Sequence, residues 1–277
     1  MIKTFAYTAF ALTAFAFNSI LCRMALVPGE ADAAGFTALR LISGAVTLAA
    51  ILFFVGRKSK VRGRGNWFSA FFLFAYAICF SFAYLGVTTG MGALVLFGSV
   101  QLTMIGVSII SGDRPGAMEW LGLTIAATGL IYLVAPGLAA PPLGAALLMA
   151  GAGIAWGFYT LRGKGSGDPL GDTAGNFVRS VPMVLIAAAP FVWQMNVTTR
   201  GAVLAVLSGA VASGVGYTVW YRALRGLTAT RAAAVQLAVP VIAAAGGVLL
   251  LSEGADLRLV ISGALVLGGI GLVIVRK

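Results

Sequence analysis

The sequence contains no histidine, and this absence removes the side chain that proteins use most often as a general base or metal ligand. Ser-His and Cys-His nucleophile arrangements are excluded with it. The two cysteines, Cys22 and Cys79, both lie inside apolar runs, which argues against a disulfide framework and a cysteine-based metal site. We therefore predict no catalytic residues, no metal site and no cofactor, in a protein that is not an enzyme.

Charged side chains are also scarce. They make up 10% of the 277 residues, whereas soluble domains carry about 25%. Hydrophobic residues account for 60% of the chain. So few charges cannot cover the surface of a soluble protein of this length. The composition therefore predicts a polytopic membrane protein with the lipid bilayer as its surroundings.

Apolar stretches of about 20 residues, the length that crosses a bilayer as a helix, occur ten times. They lie near 4–26, 33–55, 67–88, 90–112, 117–135, 142–161, 172–192, 199–221, 228–251 and 256–275. The first run is longer than the apolar region of a signal peptide and more runs follow it, so we interpret it as a span. The predicted fold class is all-α integral membrane, with ten transmembrane helices.

The 19 basic residues are distributed unevenly over the predicted loops. With the N-terminus in the cytoplasm, fourteen of them lie in cytoplasmic segments, three lie outside, and Arg40 and Arg179 lie within spans. Cytoplasmic loops are enriched in Lys and Arg, so both termini are predicted to be cytoplasmic. The densest basic stretch, FFVGRKSKVRGRGNW (53–67), is then a cytoplasmic loop and not a nucleic-acid-binding patch.

The sequence resembles itself when it is shifted by about 140 residues. FSFAYLGVTTGMGALV (80–95) then aligns with WYRALRGLTATRAAAV (220–235), with matching Ala, Gly, Thr and Val positions. A shift of 139 aligns Arg40 in FTALRLIS with Arg179 in GNFVRSVP. We interpret this pattern as an internal repeat.

Residues 1–138 are predicted to form a first five-helix repeat and residues 139–277 a second, within one integrated transmembrane domain. Because five crossings is an odd number, the second repeat must enter the membrane from the opposite side. Inverted repeats are typical of transporters that work by alternating access, with the substrate site between the halves near the midplane. The predicted architecture is therefore two inverted five-helix repeats, and the predicted function is transport.

Several stretches resemble a known family. LTATRAAAVQLAVPVIAAAGGVLLLSEGADLRLVISGALVLGGIGLVI (227–274) and GDRPGAMEWLGLTIAATGLIYLV (112–134) resemble EamA-type members of the drug/metabolite transporter superfamily. FAYAICFSFAYLG (74–86) and IAWGFYTLRGKG (154–165) are similar to the third and sixth helices of bacterial aromatic amino-acid exporters (YddG-like). The resemblance implies a multi-pass protein of the bacterial inner (plasma) membrane that exports small metabolites, amino acids above all.

Polar and aromatic side chains near the middle of the predicted spans form the candidate substrate site. A buried amide in lipid needs a partner, which a substrate can supply. A mostly apolar cavity with a few polar groups suits a small amphipathic ligand. The alternative for each residue is helix packing or a hydrogen bond between or within helices. The candidate substrate-binding residues are Asn18, Tyr76, Ser99, Gln101, Trp156, Tyr159 and Gln236.

Arg40 and Arg179 each lie about seven residues inside a predicted span, or roughly 10 Å from its end. The planar guanidinium group of either residue can bind a carboxylate or a phosphate. We favour a structural role for both, in which the side chain reaches the nearer membrane face or pairs with an acid such as Glu30 or Asp172.

The eight acidic residues all lie in loops or at the ends of predicted spans, which leaves the midplane without a carboxylate for a proton relay. The leading prediction is a secondary transporter that exports neutral or aromatic amino acids without a coupled ion. A multidrug or cationic-compound exporter is a second hypothesis and requires a deep carboxylate. A phosphorylated-metabolite exchanger is a third and requires both Arg40 and Arg179 in the cavity.

Overall fold

The regular structure of the chain is helical. The computed structural model describes residues 2–54, 65–112, 116–135, 140–164, 166–227, 232, 235–236, 238–254 and 256–275. Within these ranges the one strand-like feature is an antiparallel bridge between Ala31 and Val197. The all-α fold class is therefore confirmed for the described part of the chain.

The helices follow one another with short connections, and two of them depart from α geometry along part of their length. Helix α7 continues into a 3₁₀ helix at Ala189–Gln194. Helices α8 and α9 are joined by a π-helix, Ser208–Val215, so that Thr199–Leu224 forms one continuous rod. The bounds are α1 Ile2–Leu26, α2 Ala33–Phe54, α3 Trp67–Ala83, α4 Thr89–Ile110, α5 Ala117–Val134, α6 Leu143–Gly163, α7 Pro169–Ala188, α8 Thr199–Leu207, α9 Gly216–Leu224, α10 Ala238–Leu251 and α11 Leu257–Val275.

A helix covers much or all of each predicted span within the described residues. By length and composition, 6 helices could cross a membrane: Lys3–Leu26, Ala33–Phe54, Thr89–Ile110, Leu143–Gly163, Pro169–Gln194 and Thr199–Leu224. Shorter apolar helices occupy the other four positions: Trp67–Ala83, Trp120–Leu133, Ala238–Leu251 and Leu257–Gly269. The multi-pass character is therefore evident, whereas the number of ten crossings stays a prediction.

The boundary between the third and fourth spans differs from the prediction. Helix α3 ends at Ala83, five residues before the predicted end. Thr88 is the N-cap of α4, and its side chain accepts a hydrogen bond from the Met91 backbone N–H. A side-chain oxygen at this position satisfies one of the free amides of the first turn, which fixes where α4 begins. The basic residues between 57 and 64 lie outside the described residues, and their cytoplasmic position stays a prediction.

Helices from the two halves of the chain pack against each other. Helix α6 packs on α3 and α4, and α1 packs on α9 and α10. Helix α2 packs on α7, and α5 packs on α11. In each of these last two pairs, the helices hold the same position in the two predicted repeats. The halves are thus interleaved rather than side by side, which brings residues distant in sequence together at the centre.

Two glycines allow α4 and α6 to approach closely. A Cβ atom at Gly153 would overlap the backbone oxygen of Leu96, and one at Gly157 would lie 3.0 Å from the side chain of Thr103. Small residues at helix contacts let backbones approach one another in membranes. The close contact fixes the position of Trp156, which lies between these glycines on α6.

Candidate substrate site

Buried polar and aromatic side chains meet where α1, α2, α3, α6 and the α8–α9 rod converge. All of them are buried, in a chain whose interior is otherwise mostly apolar. Polar groups buried in this way persist because they are hydrogen-bonded to one another or to a ligand. We define the central cluster as Asn18, Arg40, Tyr76, Trp156, Tyr159, Ser208, Ser213, Tyr217 and Gln236.

Arg40 lies at the middle of the central cluster and is 1% exposed. Its Nε donates to Ser213 Oγ at 3.1 Å, and its Nη2 donates to the hydroxyls of Tyr217 at 2.8 Å and Tyr76 at 3.1 Å. The guanidinium carbon lies 4.9 Å from the ring centroid of Phe80 and 5.1 Å from that of Tyr76. These ring faces attract the cation. Among the described residues, no acidic side chain pairs with Arg40.

Asn18 extends the hydrogen-bond network toward α1. Its Nδ2 donates to the Tyr76 hydroxyl at 3.0 Å, and its Oδ1 accepts a hydrogen bond from Ser208 Oγ. The hydroxyls of Tyr76 and Tyr217 lie 3.3 Å apart. The amide, the two phenols and the guanidinium group therefore hold one another in place at the junction of four elements.

The π-helix explains why two serines of the rod enter the same network. Ser208 contacts Asn18 and Ser213 contacts Arg40, although the two serines are five residues apart. In an α-helix with 3.6 residues per turn, residues five apart point about 140° away from each other. The i to i+5 hydrogen bonding of a π-helix brings such residues to one face. The irregular segment thus positions both hydroxyls.

Aromatic rings surround the polar groups. The Trp156 ring centroid lies 4.6 Å from that of Tyr217, 5.0 Å from that of Tyr76 and 5.3 Å from that of Phe15. The Trp156 Nε1–H donates to Gln236 Oε1 at 3.2 Å, and the Gln236 amide donates to a backbone oxygen of its own segment. The cluster therefore combines a wall of tilted and edge-to-face aromatic rings with a small number of directed polar groups.

Five of the seven predicted site residues come together in the central cluster: Asn18, Tyr76, Trp156, Tyr159 and Gln236. Ser99 and Gln101 are buried on α4. Ser99 lies against Gly153 at the contact with α6. Gln101 lies eleven residues, or about three turns, beyond Gly90, on the α4 face where Gly90 packs against Ala244 of α10. We do not include these two in the central cluster.

The contacts predicted for Arg40 are wrong. The side chain neither reaches a membrane face nor pairs with Glu30, which forms an ion pair with Arg200 at 3.5 Å instead. The reason is that the hydroxyls of Tyr76, Tyr217 and Ser213 accept hydrogen bonds from Nε and Nη2 inside the bundle.

Arg179 contacts its own helix and α3, and its structural role stays a prediction. It is half-buried at the side of α7, where its Nη1 donates to the Gly175 backbone oxygen at 2.9 Å. Its guanidinium carbon lies 5.9 Å from the ring centroid of Trp67. The alignment with Arg40 therefore does not extend to the position of the side chain.

Tyr217, Ser208 and Ser213 were not among the predicted site residues. One signal was present in the sequence: Tyr76 and Tyr217 are 141 residues apart. Phe15 and Trp156, whose rings meet edge to face, have the same separation. A search for polar and aromatic pairs at the repeat distance would have found Tyr217. No comparable signal identifies the two serines, because their contacts depend on the π-helix.

Side chains join the helices on both sides of the central cluster. At the predicted outer end, Glu253 accepts hydrogen bonds from Arg23 Nε at 2.9 Å and from the Thr89 backbone N–H at 2.7 Å. At the predicted inner end, Arg162 donates to Ser69 Oγ at 3.0 Å and to Asn66 Oδ1 at 3.1 Å. The cluster is therefore enclosed between two sets of interhelical contacts.

A cavity of about 320 Å³ lies on the predicted inner side, between α2, α7 and the α8–α9 rod. Its lining includes Leu48, which is eight residues along α2 from Arg40, or about 12 Å. Thr218 and Arg222 of α9 form part of the opposite wall. The described residues contain no group of three or more Cys, Asp or Glu side chains placed to hold a metal ion.

The fold and the site define a class of protein before any relative is considered: a multi-pass helical membrane protein with an enclosed polar cluster between its halves. The model of the EamA-like transporter family matches residues 143–275. The chain is also 29% identical to an uncharacterized transporter of Archaeoglobus fulgidus, over 83% of this chain and 84% of that protein. The chain belongs to the EamA-like family of the drug/metabolite transporter superfamily and is a membrane transporter.

Two further similarities extend over nearly the whole chain. An uncharacterized protein of Pseudomonas aeruginosa is 48% identical over 275 residues, which cover 99% of this chain and 96% of that protein. A protein crystal structure with 18% sequence identity superposes with a TM-score of 0.69 and covers 96% of this chain and 95% of its own. This structural similarity shows a shared fold over both halves of the chain.

Proposed function

We propose that this transporter exports neutral or aromatic amino acids by alternating access. The observation that carries the proposal is the central cluster, in which aromatic rings enclose a few fixed amide, hydroxyl and guanidinium groups. A mostly apolar site with few, well-placed polar groups suits a small molecule with one polar end. The YddG-like stretches 74–86 and 154–165 supply three of its members, Tyr76, Trp156 and Tyr159, and this resemblance supports export as the direction.

The separation of 141 residues supports the inverted repeat. Phe15 meets Trp156 edge to face with 5.3 Å between ring centroids, and Tyr76 contacts Tyr217 with 6.4 Å between ring centroids. Residues that contact their own counterparts lie close to the axis that relates two halves. We therefore propose ten spans in two inverted repeats, with the substrate site between the halves, as in other transporters of this architecture.

The proposed orientation places both termini in the cytoplasm of a bacterium, with the protein in the inner membrane. The uneven distribution of Lys and Arg supports this orientation. The cavity beside Leu48 and Arg222 then lies on the cytoplasmic side, where an exported substrate has to enter.

The proposed substrate-binding residues divide into two groups. Asn18, Tyr76, Trp156, Tyr159 and Gln236 belong to the central cluster and would contact the substrate in its bound position. Ser99 and Gln101 would line the path along α4, or form part of its packing when the halves move. The substrate is proposed to move down its own gradient, because the acidic residues lie in loops and at span ends.

The two alternative functions receive less support from the site. A cationic-compound exporter needs a deep carboxylate, whereas the charged group at the centre of the cluster is Arg40. A phosphorylated-metabolite exchanger needs a second buried cation, and the candidate for it, Arg179, lies half-buried beside Trp67.

Efflux from proteoliposomes tests the proposal. Purified protein is reconstituted into vesicles loaded with a panel of labelled amino acids, and efflux is followed with and without a proton gradient, with protein-free vesicles as the control. We expect faster efflux of phenylalanine, tyrosine or tryptophan and the same rate under both conditions. A rate that follows the proton gradient would refute the uncoupled mechanism. No efflux of any amino acid would refute the substrate assignment, and cationic drugs and sugar phosphates would be tested next.

A further inference from the structure

The central cluster has more hydrogen-bond donors than acceptors. The Tyr76 hydroxyl accepts from Arg40 at 3.1 Å and from Asn18 at 3.0 Å, and it also contacts the Tyr217 hydroxyl, which accepts from Arg40 as well. Only one of the two phenolic protons can be donated in the hydrogen bond between the two oxygens. The other proton has no acceptor among the described side chains. Nη1 of Arg40 has no hydrogen-bond partner within the described part of the chain.

Each amide oxygen of the cluster already accepts one hydrogen bond. Asn18 Oδ1 accepts from Ser208, and Gln236 Oε1 accepts from Trp156 at 3.2 Å. The Ser213 hydroxyl oxygen accepts from Nε of Arg40. The cluster is therefore a buried, positively charged, donor-rich site. A group that completes it has to bring negative charge and acceptor oxygens.

The charge of Arg40 is not compensated within the described chain. A buried charge without a partner is strongly unfavourable, and buried charges in proteins are normally paired. Arg23, the other well-buried arginine of α1 and α2, illustrates the usual arrangement, since Glu253 lies 2.9 Å from it. The rings of Phe80 and Tyr76 reduce the cost for Arg40 but offer no lone pair to Nη1.

We propose that Arg40 binds the carboxylate of the transported molecule through Nη1, and that the site selects its substrates by this carboxylate rather than by an ammonium group. The inference rests on the transport function proposed above and specifies the part of the substrate that the cluster recognises. One carboxylate oxygen replaces the missing acceptor of Nη1, and the other accepts the free phenolic proton of the Tyr76 and Tyr217 pair.

The charge of the site fits a carboxylate better than a phosphate. One guanidinium group neutralises one negative charge, whereas a phosphate monoester carries about −1.5 to −2 near neutral pH. The remaining donors are neutral hydroxyls and an amide, which cannot offset a second charge. A carboxylate therefore neutralises the guanidinium charge, whereas a phosphate would leave a surplus of negative charge in the apolar interior.

The ammonium group of an amino acid finds little to bind in the same place. Each amide oxygen is neutral and already accepts one hydrogen bond, and no acidic side chain belongs to the central cluster. The ring faces of Trp156 and its neighbours are the remaining partners, and their attraction for a cation is weaker than a paired charge. Removal of the carboxylate should therefore weaken binding far more than removal of the ammonium group.

Three probes of one size separate these contributions: L-phenylalanine, L-phenylalaninamide and 3-phenylpropionate. The first carries both charged groups, the second lacks the carboxylate, and the third lacks the ammonium group. Isothermal titration calorimetry of the purified native protein in detergent measures the Kd of each. We expect phenylalanine and phenylpropionate to bind within a few-fold of each other, and phenylalaninamide to bind roughly 10-fold to 100-fold more weakly.

Variants then locate the carboxylate partner. In Arg40→Gln the preference for phenylalanine over phenylalaninamide should disappear, and in Arg40→Lys it should be reduced, because the charge remains but the fork is lost. Arg179→Gln, outside the central cluster, is the matched control and should keep the native preference. Circular dichroism and size-exclusion chromatography check that each variant is folded.

The native protein alone can overturn the inference, even if Arg40→Gln does not fold. The inference is wrong if phenylalaninamide binds as tightly as phenylalanine, or if folded Arg40→Gln keeps the native preference. It is also wrong if only phenylalaninamide binds, and the protein would then be a transporter of another class of substrate. If none of the probes binds, both the aromatic amino-acid function and the carboxylate assignment fail. Phenylalanine efflux with no carboxylate preference would remove only the inference.

Discussion

Arg23 and Arg40 both lie in apolar helices, Arg23 partly and Arg40 fully buried, but their surroundings differ. Arg23, near the predicted outer end of α1, has a fixed counter-charge: Glu253 lies 2.9 Å away, and the Tyr84 backbone oxygen accepts a further hydrogen bond from its Nη1. Arg40, at the centre of the bundle, is surrounded by hydroxyls and rings, and no acid of the described segments lies beside it. Arg23 therefore has its counter-charge within the chain, whereas Arg40 has none among the described residues.

The two arginines differ in what their charge does: the charge of Arg23 joins helices, and that of Arg40 is available to bind a substrate. Glu253 also accepts from the Thr89 backbone N–H at the start of α4, where the helix dipole favours a negative charge. Arg23 and Glu253 thus fasten α1, α4 and the end of α10 to one another. Arg40 is held in position equally well, but its charge is left for another molecule to neutralise.

Arg40→Gln should have the largest effect on transport. We expect efflux to fall roughly 10-fold to 100-fold, since a lost charge-assisted hydrogen bond corresponds to about 1.5–3 kcal/mol. The free energy of unfolding should not fall, because a neutral amide removes an uncompensated buried charge. Initial efflux rates from proteoliposomes and chemical unfolding in detergent measure the two quantities. A folded variant with native efflux would contradict the assignment of Arg40 to binding.

The pair of Arg23 and Glu253 should show the opposite pattern. Arg23→Gln or Glu253→Gln should each lower the free energy of unfolding by about 1–3 kcal/mol, because the remaining partner stays largely buried with its charge. The double variant should cost less than the sum of the two single variants. A full double-mutant cycle by chemical unfolding measures the coupling, and strict additivity would show that the pair does not stabilise the outer end.

Gly153→Ala tests how firmly the aromatic wall is positioned. The added methyl group would overlap the Leu96 backbone oxygen, and forcing α4 and α6 apart should cost about 1–2 kcal/mol of unfolding free energy. Gly151→Ala, two residues earlier on α6, meets nothing within 4 Å and is the matched control. It should be neutral or stabilise by up to about 1 kcal/mol. Equal effects of the two substitutions would argue against close helix contact.

Arg179→Gln should have the smallest effect. The side chain lies beside Trp67 and hydrogen-bonds within its own helix, so we expect a change of less than about 0.5 kcal/mol in unfolding and less than about twofold in efflux. The same two assays measure both. A loss of efflux comparable to that of Arg40→Gln would mean that the two repeat-related arginines share a role after all.

The sequence was sufficient for the parts of the fold that depend on local composition. Apolar runs of spanning length predicted a helix in every expected range. The boundary at Thr88 was missed because a capping hydroxyl decides it, and an apolar run alone does not show where a helix stops.

The site was predicted in part, for a physical reason. Asn18, Tyr76, Trp156 and Gln236 were selected because polar or aromatic groups deep in a span need partners, and the structure brings them together. The surroundings of Arg40 could not be deduced in the same way. They depend on acceptors from α3 and the α8–α9 rod, whose approach to α2 is a property of the packed bundle.

The π-helix at Ser208–Val215 makes chain length, as well as residue identity, a requirement of the site. Residues of this segment turn the chain by less than the roughly 100° per residue of an α-helix, because their hydrogen bonds run from i to i+5. Insertion or deletion of one residue here would therefore change the direction of Tyr217 relative to Ser208, even with every side chain of the cluster retained. The register that joins Asn18 to Arg40 depends on the number of residues between the two serines.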